Sequence, residues 1–345
     1  MKSVIGATTA VSGLEDKIWR QNQNPKIRLV EIPKKTILVV MPHDDDIISL
    51  YTLIKRNLKK YNWEICILSN GDTNSQSDIR KKELSDALDY LEILNKNRHF
   101  FASRNEKEIF SENKIYDSNS DEIVEILCDV IIQIYEKFIE NKNENIQNII
   151  TTAYQGGNYT HDLINFAMYK FREIVKDING KIIKIMETPQ YELREIIHEK
   201  RQIPYVDSVA NSFHLTGKPD PAQTRFDDYG LEIKDGMLRL SQEEYVQKVA
   251  FLQLFESQYK NMILPMMKNT ERFDKELTRI ERFRLAPETR DYTIPPHEGV
   301  LGYTLHQLNK GRHMDHEDFR RIVEKFNNEY ISEVIKGSLH SLPIN

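Results

Sequence analysis

Cysteine is nearly absent from this chain, with two residues, Cys66 and Cys128, in 345. Neither has a Cys or His neighbour at ligand spacing, so the pattern supplies neither a disulfide framework nor a thiolate metal cluster. Both are expected to be small core residues, and any metal site must be built from His and carboxylate. No run of about 18 apolar residues occurs, so no transmembrane helix is expected. The opening stretch, MKSVIGATTAVSGLEDKIW, reaches Glu15 and Asp16 too early for a secretory signal, which leaves the cytoplasm as the expected compartment. A basic surplus is also missing. The formal net charge of −5 gives no electrostatic footprint for nucleic acid. There is no G-x-G-x-x-G after the first apolar run and no P-loop, which argues against a nucleotide-binding Rossmann protein.

What is present suits a soluble globular chain, 39% apolar and 29% charged. Five short β-rich runs stand out: Thr36–Met41, Glu64–Ser69, His99–Ser103, Asn148–Tyr154 and Lys181–Glu187. Helical patterns alternate with them, from the first run to about Lys60, from Arg80 to about Lys96, from Asp121 to about Glu140, and again from near His161. This alternation predicts an α/β fold, a Rossmann-like mostly parallel sheet with helices on both faces. Beyond residue 200 the pattern changes to a Pro-rich polar loop, a helix from Gln242 to about Met262, an irregular stretch, and a helix over Asp315–Lys336. The expected division is a lead-in over 1–35, a core over 36–200, and a C-terminal helix-and-loop extension over 201–345 that packs on the core and can close the active site.

In such sheets ligands bind beyond the carboxyl ends of the strands. The loops PHDDD, SNGDTNSQSD and QGGNYTHD are therefore expected to meet at one crevice. In the first loop, His43 precedes three adjacent carboxylates, Asp44, Asp45 and Asp46, whose mutual repulsion a cation relieves. The plainer alternative is an acidic helix N-terminus facing the helix dipole. In the third loop, Gly156 and Gly157 permit a tight turn, and His161 opens the following helix.

These two loops resemble the motifs of the LmbE/PIG-L deacetylases. That family carries (A/P)-H-P-D-D-E after its first strand, against Pro42-His43-Asp44-Asp45-Asp46-Ile47 here. Its second motif, Y-E-G-G-H-P-D-H-D, is matched at Tyr154, Gly156, Gly157, His161 and Asp162. The resemblance implies zinc, or another divalent metal such as Fe2+, held by His43, Asp46 and His161, with Asp45 as general base on an activated water. It implies removal of an N-acetyl or other acyl group from an amino sugar or sugar conjugate, a small molecule. Three of the positions that depart from the pattern bear on the site. Asp44 stands for Pro, Ile47 for Glu, and Asn158 for a His that serves the tetrahedral intermediate and its leaving amine. Asn158 can donate to an oxyanion but cannot act as an acid, and His297, in a late segment that resembles a C-terminal element of some relatives, is the candidate acid.

Arg80, Asp72 and Tyr154 are the candidate substrate contacts. Arg80 has the alternative of an ordinary ion pair with Glu83. Lys248 and Ser257-Gln258 resemble a structural element of the family. His313-Met314-Asp315-His316 repeats the ligand spacing, but Asp315 there reads as the N-cap of a surface helix. Two functional rivals remain open: a catalytically weak or inactive carbohydrate-binding homologue, and a phosphoesterase, which favours a two-metal carboxylate site. A homo-oligomer also stays open.

Overall fold

In the computed structural model, residues 34–69, 77–100, 112–140, 146–188, 192–198, 201–207, 237–258, 280–296, 301, 303–304 and 314–329 are described. The strands are β1 (Lys35–Met41), β2 (Tyr61–Ile67), β3 (Arg98–Phe100), β4 (Ile146–Thr152), β5 (Lys184–Thr188), β6 (Glu192–His198), β7 (Arg201–Asp207), β8 (Met237–Arg239), β9 (Ile280–Arg282) and β10 (Arg284–Leu285). The helices are α1 (Tyr51–Asn57), α2 (Ser77–Tyr90), α3 (Glu112–Asp117), α4 (Ser120–Tyr135), α5 (Tyr159–Asn179), α6 (Gln242–Leu252) and α7 (His316–Glu329).

Thr36 through Met41 are all buried, as a strand covered on both faces must be. The main sheet runs β10-β5-β4-β1-β2-β3, and all its pairings are parallel except that of β10 with β5. Alternate residues of β1 feed two separate cores. Leu38 and Val40 join Val124 and Leu127 of α4, Phe166 of α5, and Phe319 and Val323 of α7. Ile37, Val39 and Met41 join Leu53 of α1, Leu84 and Leu88 of α2, Phe251 of α6, and Phe283. The chain is thus an α/β fold with helices on both faces, and residues beyond 200 contribute to both cores. The order also creates a switch point. The chain leaves β1 toward β2 on one side and later returns to pair β4 on the other, so the loops after β1 and β4 flank one crevice.

Local chemistry fixes the ends of several of these helices. Asn158 caps α5 by accepting from Thr160 N, and Gly180 ends the helix with φ 64°, a conformation that favours glycine. Asn119 with Glu122, and Ser241 with Glu244, form reciprocal capping boxes on α4 and α6.

Several expectations need correction. The segment after β1 is not one helix to Lys60. It is a 3-10 turn, Asp45–Leu50, followed by α1, and β2 already begins at Tyr61. The helix from Gln242 stops at Leu252, with a separate single turn at Glu256–Gln258. A β6–β7 hairpin pairs across residue 200, and a small β8–β9 ladder joins the stretch before α6 to the segment at 280. In sequence only Glu199 and Lys200 separate the two strands, without the Gly or Asn that announces a hairpin. The 1–33 lead-in and the ends of the expected helices at Met262 and Lys336 lie outside the described residues.

Both thiols are buried, and burial pushes Cys128 up to about 12. Neither thiol should react with a thiolate-directed reagent in the folded protein, and both should titrate after denaturation. Stoichiometric labelling under native conditions would contradict this packing.

Candidate active site

His43 follows the last residue of β1 by two positions and lies at the crevice mouth with 6% of its surface exposed. Asp46 folds back within the 3-10 turn, and its Oδ2 accepts from His43 N at 2.9 Å. His161 comes from the first turn of α5. Its Nε2 lies 3.1 Å from His43 Nδ1 and 3.4 Å from Asp46 Oδ1. His43 Nδ1 is 3.5 Å from Asp46 Oδ2.

The three side chains each offer one ligand atom, all within 4.8 Å of one another. Among the described residues they are the one group of three or more His, Cys, Asp or Glu side chains that could hold a metal ion. Burial, then the neighbouring His43, holds the His161 imidazole well below its usual range, so it is neutral and able to ligate. Burial raises the Asp46 carboxyl, while hydrogen bonding to His43 opposes the shift. A buried carboxylate facing two imidazole nitrogens is a donor set that fits a divalent cation, with a further coordination position left for water or substrate.

Asp45 is different. Its side chain is 16% exposed, more than the 4% of Asp46, and its Oδ1 accepts from Arg80 Nη2 at 3.0 Å. Arg80 also grips Asp44, with Nε donating to Oδ2 at 3.0 Å and Nη2 donating to Oδ1. Asp44 in turn accepts from Asp45 N at 2.9 Å, capping the turn that carries Asp45 and Asp46. Burial disfavours the Arg80 charge, but Asp45 and Asp44 outweigh it and hold the guanidinium above its usual range. Arg80 and Glu83 are therefore not partners. Glu83 instead accepts from Ser257 N and Oγ, each at 2.7 Å. Lys248 Nζ pairs with Glu281 at 2.8 Å, and Glu281 accepts the N–H groups of Thr52 and Leu53 at the start of α1.

On the far side, Asp162 accepts from Gln155 N at 3.0 Å and Gly156 N at 2.9 Å, fastening the glycine loop to α5. Burial pushes Asp162 up to about 7 against those two donors. Ile47, at the position of the family's Glu, is fully buried in the apolar core shared with α1 and α2. Tyr154 is buried, and its hydroxyl donates to Ile294 O at 2.9 Å and stands 2.9 Å from His316 Nε2. That hydroxyl is engaged by the C-terminal segment. Asp315 Oδ1 accepts from Glu317 N and Asp318 N and so caps α7. The helix is not a plain surface one, since Phe319, Ile322, Val323 and Phe326 are buried in the core. Asp72, His297 and His313 lie outside the described residues.

Residues 38–171 match the family model PIG-L, GlcNAc-PI de-N-acetylase. This segment belongs to the PIG-L family. The PIG-L domain contains His43, Asp46 and His161, together with Asp45, Arg80 and Asn158. Among solved structures, the chain is similar to a deacetylase–bog complex from the teicoplanin biosynthesis pathway, at 14% identity over 74% of this chain and 100% of that one, with TM-score 0.44. It is also similar to N,N'-diacetylchitobiose deacetylase from Pyrococcus horikoshii complexed with the inhibitor MPG, at 12% identity over 84% and 96%, with TM-score 0.43. A third similar structure is GalB, the 4-carboxy-2-hydroxymuconate hydratase from Pseudomonas putida KT2440, at 13% identity over 74% and 98%, with TM-score 0.35. No curated protein matches the chain. No helix among the described residues is long and apolar enough to cross a membrane.

Sequence reasoning missed a buried network behind the PIG-L domain's glycine loop. Glu187, at the end of β5, accepts from Arg284 Nε at 2.6 Å, Arg290 Nη1 at 2.5 Å and Asn165 Nδ2 at 2.7 Å. Arg284 Nη2 continues to Tyr154 O at 2.9 Å, tying the loop to the C-terminal segment. Charged residues a hundred positions apart leave no local spacing to read.

Proposed function

We propose that the chain is a metal-dependent hydrolase that removes an N-acetyl group from an amino sugar or sugar conjugate. The observation that carries this reading is the convergence of His43 Nδ1, Asp46 and His161 Nε2 at the switch point of a PIG-L domain. Those three residues would hold the cation, zinc or another divalent metal, which when bound supplies Lewis acidity to the water and to the amide carbonyl. Asp45, the more exposed carboxylate beside them, takes the proton of the attacking water. Arg80 Nη2 donates to Asp45 Oδ1 and so aims that carboxylate, and Asp44 anchors Arg80 in place. Asn158 donates to the developing oxyanion. Asp45, once protonated, or His297 returns the proton to the departing amine, and the products are acetate and a free amino sugar.

The test is metal content together with amine release from a panel of N-acetyl sugars and glycoconjugates. The expected result is about one divalent ion per chain and release from at least one substrate that stops on chelation and resumes on adding metal. Metal binding without release from any member would favour a carbohydrate-binding homologue. A chain that binds no metal would overturn the reading.

A further inference from the structure

Thr160 lies between Asn158 and His161 at the start of α5 and is fully buried. Its hydroxyl has one proton, which it donates to Asn158 Oδ1 at 2.7 Å. The same oxygen stands 3.2 Å from His43 Nε2. With its proton committed to Asn158, the hydroxyl can only accept from the imidazole, so Nε2 carries the hydrogen. A neutral imidazole protonated at Nε2 has a bare Nδ1, and Nδ1 is the atom that faces His161 and Asp46. Asn158 Oδ1 also accepts from Thr160 N at 2.9 Å. Two donors at one end of the amide identify that end as oxygen. Nδ2, with its two N–H donors, is then the end directed away from Thr160.

We infer that Thr160 is a positioning residue whose hydroxyl sets both the ring form of His43 and the amide orientation of Asn158. This rests on the metal-centre reading proposed above. One hydroxyl thereby links the two sides of the crevice, baring a ligand nitrogen on the β1 side and fixing an amide donor on the α5 side. Valine has nearly the same shape but leaves the His43 N–H and the Asn158 oxygen without this partner. Serine retains the hydroxyl.

The experiment measures Co2+ affinity, by competition with a chromophoric chelator, for the native chain, Thr160→Val and Thr160→Ser. Each variant's fold is checked by its far-ultraviolet circular dichroism. Thr160→Val should bind Co2+ roughly 10- to 100-fold more weakly with an altered visible spectrum, and Thr160→Ser should restore both. On the best substrate of the panel, Thr160→Val should lower kcat more than it raises KM. Equal Co2+ affinity in native and Thr160→Val protein overturns the role of Thr160 and leaves the metal centre standing. A native chain that binds no Co2+ overturns both. If Thr160→Val does not fold, nitrogen NMR of the metal-free native chain, with 15N-labelled histidine, decides the matter. A His43 ring protonated at Nε2 supports the inference, and one protonated at Nδ1 overturns it.

Discussion

Asp45→Asn should slow amide hydrolysis by roughly 10²- to 10⁴-fold, the usual contribution of a positioned general base, while metal content and KM stay near native. The separation follows from geometry. The three atoms that converge on the candidate cation position belong to His43, Asp46 and His161, and Asp45 is not among them. Asparagine keeps the size of the side chain and can still contact Arg80, but it cannot accept a proton. Asp46→Asn should behave in the opposite order, because Asp46 faces both imidazoles and supplies the negative charge of the set. There, metal loss comes first and inactivity follows from it. Metal content by atomic absorption, with initial rates of amine release, distinguishes the two. A fully active Asp45→Asn protein would move the base elsewhere. An Asp45→Asn protein stripped of metal would make Asp45 a ligand.

The apolar runs at 36–41 and 148–152 could be little but buried parallel strands, and strand-then-loop placement alone puts His43 and His161 at one crevice. The structure supplies what spacing alone could not: a 3.1 Å approach between side chains 118 residues apart. Arg80 shows the limit. Its i,i+3 relation to Glu83 is a local pattern that admits an ion pair, yet the turn after β1 presents Asp44 and Asp45 to the guanidinium, and the buried contact prevails. Thr160 went unread for a similar reason. A threonine in the first turn of a helix is unremarkable until the imidazole opposite it is located. The 3-10 turn at Asp45–Leu50 was hidden by a helical period too short to separate it from α1.

The second large effect lies in the C-terminal segment. Arg290→Met should destabilise the fold by about 3–5 kcal/mol at neutral pH, the range expected when one partner of a buried ion pair is removed. Glu187 is fully buried. Burial alone would raise its carboxyl, but Arg290 and Arg284 reverse this and hold it at about 2. A carboxyl lowered from 4.5 to about 2 contributes about 3 kcal/mol of stability. Because the folded value is the depressed one, that stability is fully present above pH 4.5 and is lost as pH falls toward 2. Methionine fills the space over the rings of Tyr169 and Tyr292, where the guanidinium now lies, but leaves Glu187 with Arg284 as its remaining cation. The gap between native and variant stability should therefore be widest near pH 7 and should narrow steadily below pH 4.5. Urea denaturation at a series of pH values measures it directly. A gap of the same size at pH 7 and pH 3 would mean that Arg290 acts through packing against the tyrosines and not through its charge.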